Sequence, residues 1–93
     1  MDNIKSFEDL NCWKEAVLLR KDLKVLINNF PKHEEYRLKD QLIRCLRSVT
    51  NNIAEGYGRF NYQENIQFCR ISRGSLYETI DHLIIAEEEN YIS

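Results

Sequence analysis

Residues 48–59 read Ser-Val-Thr-Asn-Asn-Ile-Ala-Glu-Gly-Tyr-Gly-Arg, and the rest of the chain is organised around this stretch. Its apolar residues Val49, Ile53 and Ala54 keep helical spacing. Its Ser, Thr, Asn and Gly residues disfavour an isolated helix, because they compete with backbone hydrogen bonds or cost conformational entropy. Close contact with neighbouring helices must therefore hold the segment in place.

Length and composition predict one all-α domain spanning residues 1–93. The chain has 93 residues, only three Gly and one Pro, and is 43% hydrophobic and 30% charged. Such a composition is typical of long helices with short connections. A domain of this size buries only about two-thirds of its unfolded surface, so its stability alone is marginal and oligomerisation is expected.

The first helix is predicted over about 7–30. Ser6 is its expected N-cap, with Asp9 at the capping-box position, and Pro31 ends it. One coiled-coil-like seam recurs at steps of three and four residues: Cys12, Ala16, Leu19, Leu23, Leu26 and Phe30. A second row widens the apolar face: Leu10, Trp13 and Val17.

The second helix is predicted over about 34–57 as the inner helix, because it is apolar on two adjoining strips. One strip comprises Leu38, Leu42, Cys45, Val49 and Asn52. The other comprises Ile43, Leu46, Thr50, Ile53 and Tyr57. Gly56 and Gly58 are expected to end this helix.

The third helix is predicted over about 61–89, with Asn61 as N-cap and Glu64 in capping-box position. Its seam is Tyr62, Ile66, Cys69, Arg73, Leu76, Ile80 and Leu83. A row of mostly small residues runs beside it: Phe68, Ser72, Ser75 and Thr79. Short turns between the three long helices predict an antiparallel up-down bundle.

The apolar faces of this bundle are wide enough for a fourth neighbour. That neighbour is either a fourth helix missing from or beyond this chain or another subunit.

The charge distribution leaves one basic hairpin and an acidic end. The net charge is −2, which argues against a strong generic nucleic-acid binder. Residues 37–73 nevertheless carry a net charge of +4, whereas residues 74–93 carry −5. The candidate phosphate contacts are Arg37, Lys39, Arg44, Arg47, Arg59, Arg70 and Arg73. A solvated, salt-bridged face is the alternative for each, although symmetry could multiply a weak patch.

Structural roles are expected for the polar residues of the bundle. Glu55, assisted by Asn52, is predicted to accept backbone N–H groups or a cap hydroxyl at the start of the first helix. A close helix crossing is predicted where Gly74 and Ser75 lie opposite Ser48. The Glu78 side chain is expected to form a salt bridge with Arg44.

No catalytic site, cofactor, metal site or small-molecule substrate is expected. Cys12, Cys45 and Cys69 form neither a disulfide framework nor a zinc motif, so reduced thiols in the cytoplasm are expected. A di-iron bundle needs two Glu-x-x-His motifs, whereas only Glu78-x-x-Asp81-His82 is present. Neither a signal peptide nor a membrane span is indicated.

Residues throughout the chain resemble one protein family. They are Phe7 to Leu10, Trp13-Lys14, Ala16, Pro31, Glu35-Tyr36, Leu38, Gln41, Ser48, Asn52 to Gly56, Phe68, Gly74 to Leu76 and Glu78. This pattern resembles the 23S rRNA-intervening-sequence proteins and is similar to the accessory variability determinant of diversity-generating retroelements. The resemblance implies a four-helix bundle that forms a ring-like homopentamer without catalytic chemistry. Its bacterial members are encoded within rRNA genes, and the retroelement relatives associate with nucleic acid and a reverse transcriptase.

Two features depart from the family pattern. Ser72 stands where the family usually has Ala, and the fourth helix is missing after Tyr91-Ile92.

The residues and the resemblance together leave three candidate functions. The first is a non-enzymatic, homo-oligomeric accessory factor that associates with RNA or a ribonucleoprotein. The alternatives are a protein-interaction scaffold without nucleic-acid affinity and, more distantly, a metal-containing bundle enzyme.

Overall fold

The computed structural model describes residues 4–93 and contains helices only. Two short 3₁₀ turns precede the first two α-helices. In chain order the elements are the 3₁₀ turn Phe7–Asp9, α1 (Asn11–Ile27), the 3₁₀ turn Lys32–Glu34, α2 (Leu38–Tyr57) and α3 (Tyr62–Glu88). The predicted all-α class is therefore confirmed. Within residues 4–93, none of the helices combines the length and apolar character needed to cross a membrane.

The predicted first helix is interrupted near its start. Ser6 and Asp9 do form a capping box, but it caps the 3₁₀ turn rather than α1. Leu10 is extended, with φ −73° and ψ 129°, so α1 begins only at Asn11. The helix also ends at Ile27, before the predicted Phe30, because the chain must turn ahead of Pro31.

The second helix begins later than predicted and ends where predicted. Arg37 has φ −122° and ψ −105°, and this non-helical conformation separates the 3₁₀ turn from α2. The helix therefore begins at Leu38 instead of residue 34. Its end at Tyr57 agrees with the prediction, and the Gly58 N–H closes the last turn on the Ala54 carbonyl.

Side-chain and backbone caps define both ends of α3. The Asn61 side chain accepts hydrogen bonds from the N–H groups of Gln63 and Glu64, as expected of an N-cap. At the other end Asn90 adopts a left-handed conformation with φ 62°. The Tyr91 N–H then bonds the Ala86 carbonyl over 2.9 Å, which completes a Schellman-type end. This turn brings Tyr91 back against the protein.

The core lies at the end of the bundle where α1 turns into α2. Its buried side chains are Ile27, Phe30, Leu38, Leu42, Leu46 and Ala86. Partly buried residues pack against them, namely Leu23, Leu83, Tyr91 and Ile92. The Phe30 and Tyr91 rings pack at a tilt of 47° with their centroids 5.5 Å apart, so the C-terminal segment closes the core.

The inner position of α2 is confirmed. It packs against both α1 and α3, whereas α1 and α3 have no pair of Cα atoms within 8 Å. A three-helix up-down arrangement with a groove between its outer helices results, and residues 4–93 form no fourth helix. The small-residue row of α3 faces α2, since Ser72 and Thr79 are buried.

Candidate functional site

Polar side chains of the segment 48–59 link α2 to α3. The Asn52 amide donates to the Ser48 carbonyl at 2.8 Å and to the Ser48 hydroxyl at 3.0 Å. Ser75 donates its hydroxyl proton to the Ser48 hydroxyl, 2.8 Å away. The predicted opposition of Ser75 and Ser48 is therefore confirmed. Each group has a hydrogen-bond partner, which satisfies polar atoms at a close helix contact.

The closest glycine contact between the helices is at Gly56 and not at Gly74. A Cβ added to Gly56 would lie 2.7 Å from Asn65 Oδ1 and 3.0 Å from Phe68 Cβ. The same test at Gly74 finds no atom within 4 Å, so the predicted crossing at Gly74 is wrong. Gly74 lies on the exposed side of α3, since only the small residues one row away face α2.

Glu55 does not cap the first helix, contrary to the prediction. Helix α2 does lie near the 3₁₀ turn at Phe7–Asp9. The Asp9 carboxylate, however, already accepts the N–H groups of Lys5 and Ser6 at 2.8 and 3.2 Å. These bonds, led by that from Lys5, hold the pKa of Asp9 below its usual range. Glu55 instead forms an exposed ion pair with Arg59, at 3.1 Å.

The predicted salt bridge between Glu78 and Arg44 is also wrong. Arg44 pairs with Asp40 one turn away on its own helix, at 2.9 Å. The Glu78 carboxylate instead accepts a hydrogen bond from the Cys45 thiol of α2. Burial, together with the hydrogen bond to Glu78 and the charge of Glu78, raises the pKa of Cys45 to about 12. The thiol is therefore protonated at neutral pH and is not a nucleophile.

A basic groove lies between α1 and α2. Its volume is about 280 Å³. The lining residues are Arg20, Lys21, Lys24, Ile27, Ile43, Leu46 and Arg47. Within residues 4–93, none of the four cations has a carboxylate oxygen within 4.0 Å. The groove therefore presents positive charge to solvent over an apolar floor.

Thr50 fixes part of this basic groove. Arg20 donates through Nη1 to the Thr50 hydroxyl oxygen at 2.7 Å. Thr50 in turn donates to the Arg47 carbonyl at 3.1 Å. Because Thr50 is buried, the Arg20 guanidinium is anchored while Lys21, Lys24 and Arg47 remain exposed.

The seven cations predicted as phosphate contacts are distributed over several faces. Three form ion pairs one helical turn away: Lys39 with Glu35, Arg44 with Asp40 and Arg59 with Glu55. Arg59 also lies 5.0 Å from the Phe68 ring, and Arg73 lies 5.7 Å from the Tyr77 ring. Arg37 and Arg70 are exposed. Only Arg47 lines the basic groove.

Sequence reasoning missed the contribution of α1 to this groove. The basic region predicted from the sequence, residues 37–73, contains neither Arg20 nor Lys24. These two residues are four positions apart and therefore share one face of α1. That spacing, combined with the antiparallel pairing of α1 and α2, was the signal that could have found the groove.

A second groove, between α1 and α3, is mainly apolar. It comprises two adjoining hollows of about 390 and 490 Å³. Its apolar lining includes Ala16, Leu19, Leu23, Leu76, Ile80 and Leu83. Leu19 is 38% exposed and Ile80 is 52% exposed, so the predicted seams of the outer helices face open space. This groove lies where the wide apolar faces predicted a further neighbour.

Comparison with known proteins identifies the family. No curated protein matches the chain. The family model described as 23S rRNA-intervening sequence protein matches residues 8–93, which include all three α-helices and the groove-lining residues. The chain therefore belongs to the 23S rRNA-intervening sequence protein family.

Proposed function

We propose that this protein is a non-enzymatic, homo-oligomeric accessory factor that binds RNA or a ribonucleoprotein in the bacterial cytoplasm. The observation that carries the proposal is the basic groove between α1 and α2. It gathers Arg20, Lys21, Lys24 and Arg47 without a carboxylate partner within residues 4–93. The family description, 23S rRNA-intervening sequence protein, refers to rRNA and so supports RNA as the nucleic acid to test.

The chemistry of the groove suits a phosphate backbone. Lys ammonium groups and Arg guanidinium groups are the main phosphate ligands of proteins, and their binding releases counterions from the nucleic acid. Arg20 is held in place by Thr50, so it loses little conformational freedom when it binds a phosphate. Sequence-specific contacts are not needed for such binding, because phosphate contacts position a nucleic acid without reading its bases.

Self-association would compensate for the low charge of one subunit. The chain has a net charge of −2, so a single basic groove gives weak binding. The open α1–α3 groove exposes apolar side chains that a second copy would cover. A homopentamer, which the family resemblance implies, would repeat the basic groove five times around a ring and raise the overall affinity by multivalency.

A protein-interaction scaffold without nucleic-acid affinity is the second candidate. The exposed apolar groove favours it, because protein surfaces of that kind mark interaction sites. The acidic segment of residues 74–93 also opposes binding to a polyanion. The two candidates therefore share the assembly surface and differ only in whether the basic groove is used.

Purification at two salt concentrations distinguishes them. We expect nucleic acid to co-purify at low salt, to be removed by high salt and to be digested by ribonuclease but not by deoxyribonuclease. The steep salt dependence follows from counterion release. Protein free of nucleic acid at both salt concentrations would favour the scaffold.

A further inference from the structure

We propose that Cys45, Glu78 and His82 form a binding site for a divalent zinc-like cation. One ligand atom from each residue lies within 4.8 Å of those of the other two. Cys45 belongs to α2, whereas Glu78 and His82 belong to α3. An ion bound by all three would clamp the two helices together.

Helix pairing, not sequence proximity, creates this cluster. Glu78 and His82 lie one turn apart on α3, which places both on one face. Cys45 is 33 positions away from Glu78 and reaches it because α2 and α3 pack along their length. The sequence predicted no metal site because it contains neither a paired Cys motif nor the two Glu-x-x-His motifs of a di-iron bundle.

The groove around the cluster leaves room for an ion. It measures about 340 Å³ and is lined only by α2 and α3 residues: Gln41, Arg44, Cys45, Ser48, Ser75, Glu78 and His82. Cys45 is 4% exposed, whereas Glu78 is exposed at the mouth. An ion can therefore enter from solvent and reach a buried sulfur atom.

The ligand chemistry favours zinc among the common biological cations. Thiolate, imidazole and carboxylate are its usual protein ligands, with bonds of about 2.0 to 2.3 Å in a tetrahedral arrangement. Binding forms a sulfur–metal bond as the thiol proton leaves to solvent, so thiolate and carboxylate together neutralise the charge of the ion. Arg44, the other charged residue lining the groove, is already paired with Asp40.

His82 provides a second, independent observation. Its Nδ1 atom is buried and has no hydrogen-bond partner within residues 4–93. A buried polar atom without a partner is energetically costly, and such atoms are rare in folded proteins. Coordination through this nitrogen would supply the missing partner. Three protein ligands leave one tetrahedral position, which a water molecule would occupy at the open mouth.

Cobalt(II) titration of the fully reduced protein tests the site, because cobalt substitutes for zinc and its absorption reports ligand type and geometry. We expect a thiolate-to-cobalt charge-transfer band with intense visible bands of tetrahedral Co²⁺, both abolished by stoichiometric Zn²⁺. His82→Gln and Glu78→Gln should each weaken binding by more than about 100-fold, beyond the 10–100-fold typical of outer-shell partners. Cys45→Ser should abolish the charge-transfer band.

A double variant that removes the two exposed thiols, Cys12→Ser with Cys69→Ser, is the matched control and should keep the full spectrum. A wild-type titration without the charge-transfer band would overturn the proposal. So would a spectrum that survives Cys45→Ser but disappears in the control variant. Glu78 is exposed, so Glu78→Gln remains decisive even where a change at buried Cys45 prevents folding. An unchanged affinity of Glu78→Gln for Co²⁺ would show that this carboxylate is not a ligand and would overturn the three-residue site.

Discussion

The Ser75 hydroxyl of α3 donates to the Ser48 hydroxyl of α2 across 2.8 Å, which joins the two most closely packed helices. Ser48 also accepts from Asn52, so one hydroxyl connects a hydrogen-bonded row across the contact. Ser75→Ala should lower the free energy of unfolding by about 1 kcal/mol, the usual net value of one such hydrogen bond. Urea denaturation followed by circular dichroism measures this change.

Glu55→Gln is the control for that variant, because it alters α2, the helix that Ser75 contacts, at an exposed ion pair. Its free energy of unfolding should change by less than about 0.5 kcal/mol, since exposed ion pairs contribute little. A loss as large as that of Ser75→Ala would restore the capping role that the sequence suggested for Glu55.

Gly56 and Gly74 should respond in opposite directions to alanine. At Gly56 the added methyl group meets Phe68 Cβ at 3.0 Å, so Gly56→Ala should destabilise the protein by about 1–3 kcal/mol through overpacking. At Gly74 the methyl group meets nothing within 4 Å, so Gly74→Ala should stabilise α3 by about 0.5–1 kcal/mol. Thermal and urea unfolding of the two variants measure both changes in the free energy of unfolding. Equal destabilisation by both would contradict the assigned crossing point.

Tyr91 should make stability depend on acid pH. Its hydroxyl donates to Glu34 at 2.7 Å, and this bond holds the pKa of Glu34 below its usual value of 4.5. A lowered carboxyl pKa stabilises the fold above about pH 4.5, and that stabilisation is lost as the pH falls through the lower folded-state value. Tyr91→Phe should therefore destabilise the protein more at neutral pH than at strongly acidic pH.

His33 and Arg37 must be considered in that comparison, because their positive charges also lower the pKa of Glu34. They remain in Tyr91→Phe, so part of the acid dependence of the wild type should persist. Urea midpoints of both proteins across the acid range give the measurement. A difference in stability between the two proteins that grew towards acid pH would contradict this prediction.

Ile80→Glu should reduce self-association through the α1–α3 groove. Ile80 is 52% exposed and lines the groove, so a carboxylate there would have to be desolvated in an interface. The matched control is Ile71→Glu, since Ile71 is 45% exposed and lines neither hollow of this groove. Light scattering on the eluted proteins should show a smaller particle for Ile80→Glu than for the wild type and the control. Equal particle masses would place the interface elsewhere.

The fold was predictable from apolar spacing and from the caps. The double apolar strip of α2 identified the inner helix because only a helix with two packed neighbours needs it. Asn61 correctly located the start of α3. Leu10 and Arg37 were missed, because their non-helical backbone is set by how the short 3₁₀ turns pack and not by local sequence preference.

The candidate sites were less predictable because they depend on pairing between helices. The regular seam of α1 suggested a core, yet Cys12 and Leu19 face an open groove, whereas Ile27, outside the seam, is fully buried. Periodicity gives the faces of a helix but not which face meets which neighbour. Arg20 and Cys45 become candidate site residues only because Thr50 and Glu78, which belong to other helices, lie beside them.

The central claim is that the α1–α2 groove binds RNA, and two triple variants of equal charge test it. One neutralises exposed cations of the groove: Lys21→Gln, Lys24→Gln and Arg47→Gln. The other neutralises cations that already have a carboxylate partner: Lys39→Gln, Arg44→Gln and Arg59→Gln. Since both variants lose the same charge, a difference in their affinity for RNA reports the effect of the groove and not that of the net charge.

The decisive measurement is the salt dependence of fluorescence anisotropy with a fluorescein-labelled RNA hairpin. We predict that the groove variant binds at least about tenfold more weakly than the wild type and that its slope of log affinity against log salt falls by about two to three, since each lost phosphate contact removes about 0.7 to 0.9. The paired-cation variant should stay close to the wild type. Equal losses in both variants, or no binding by the wild type, would contradict the claim.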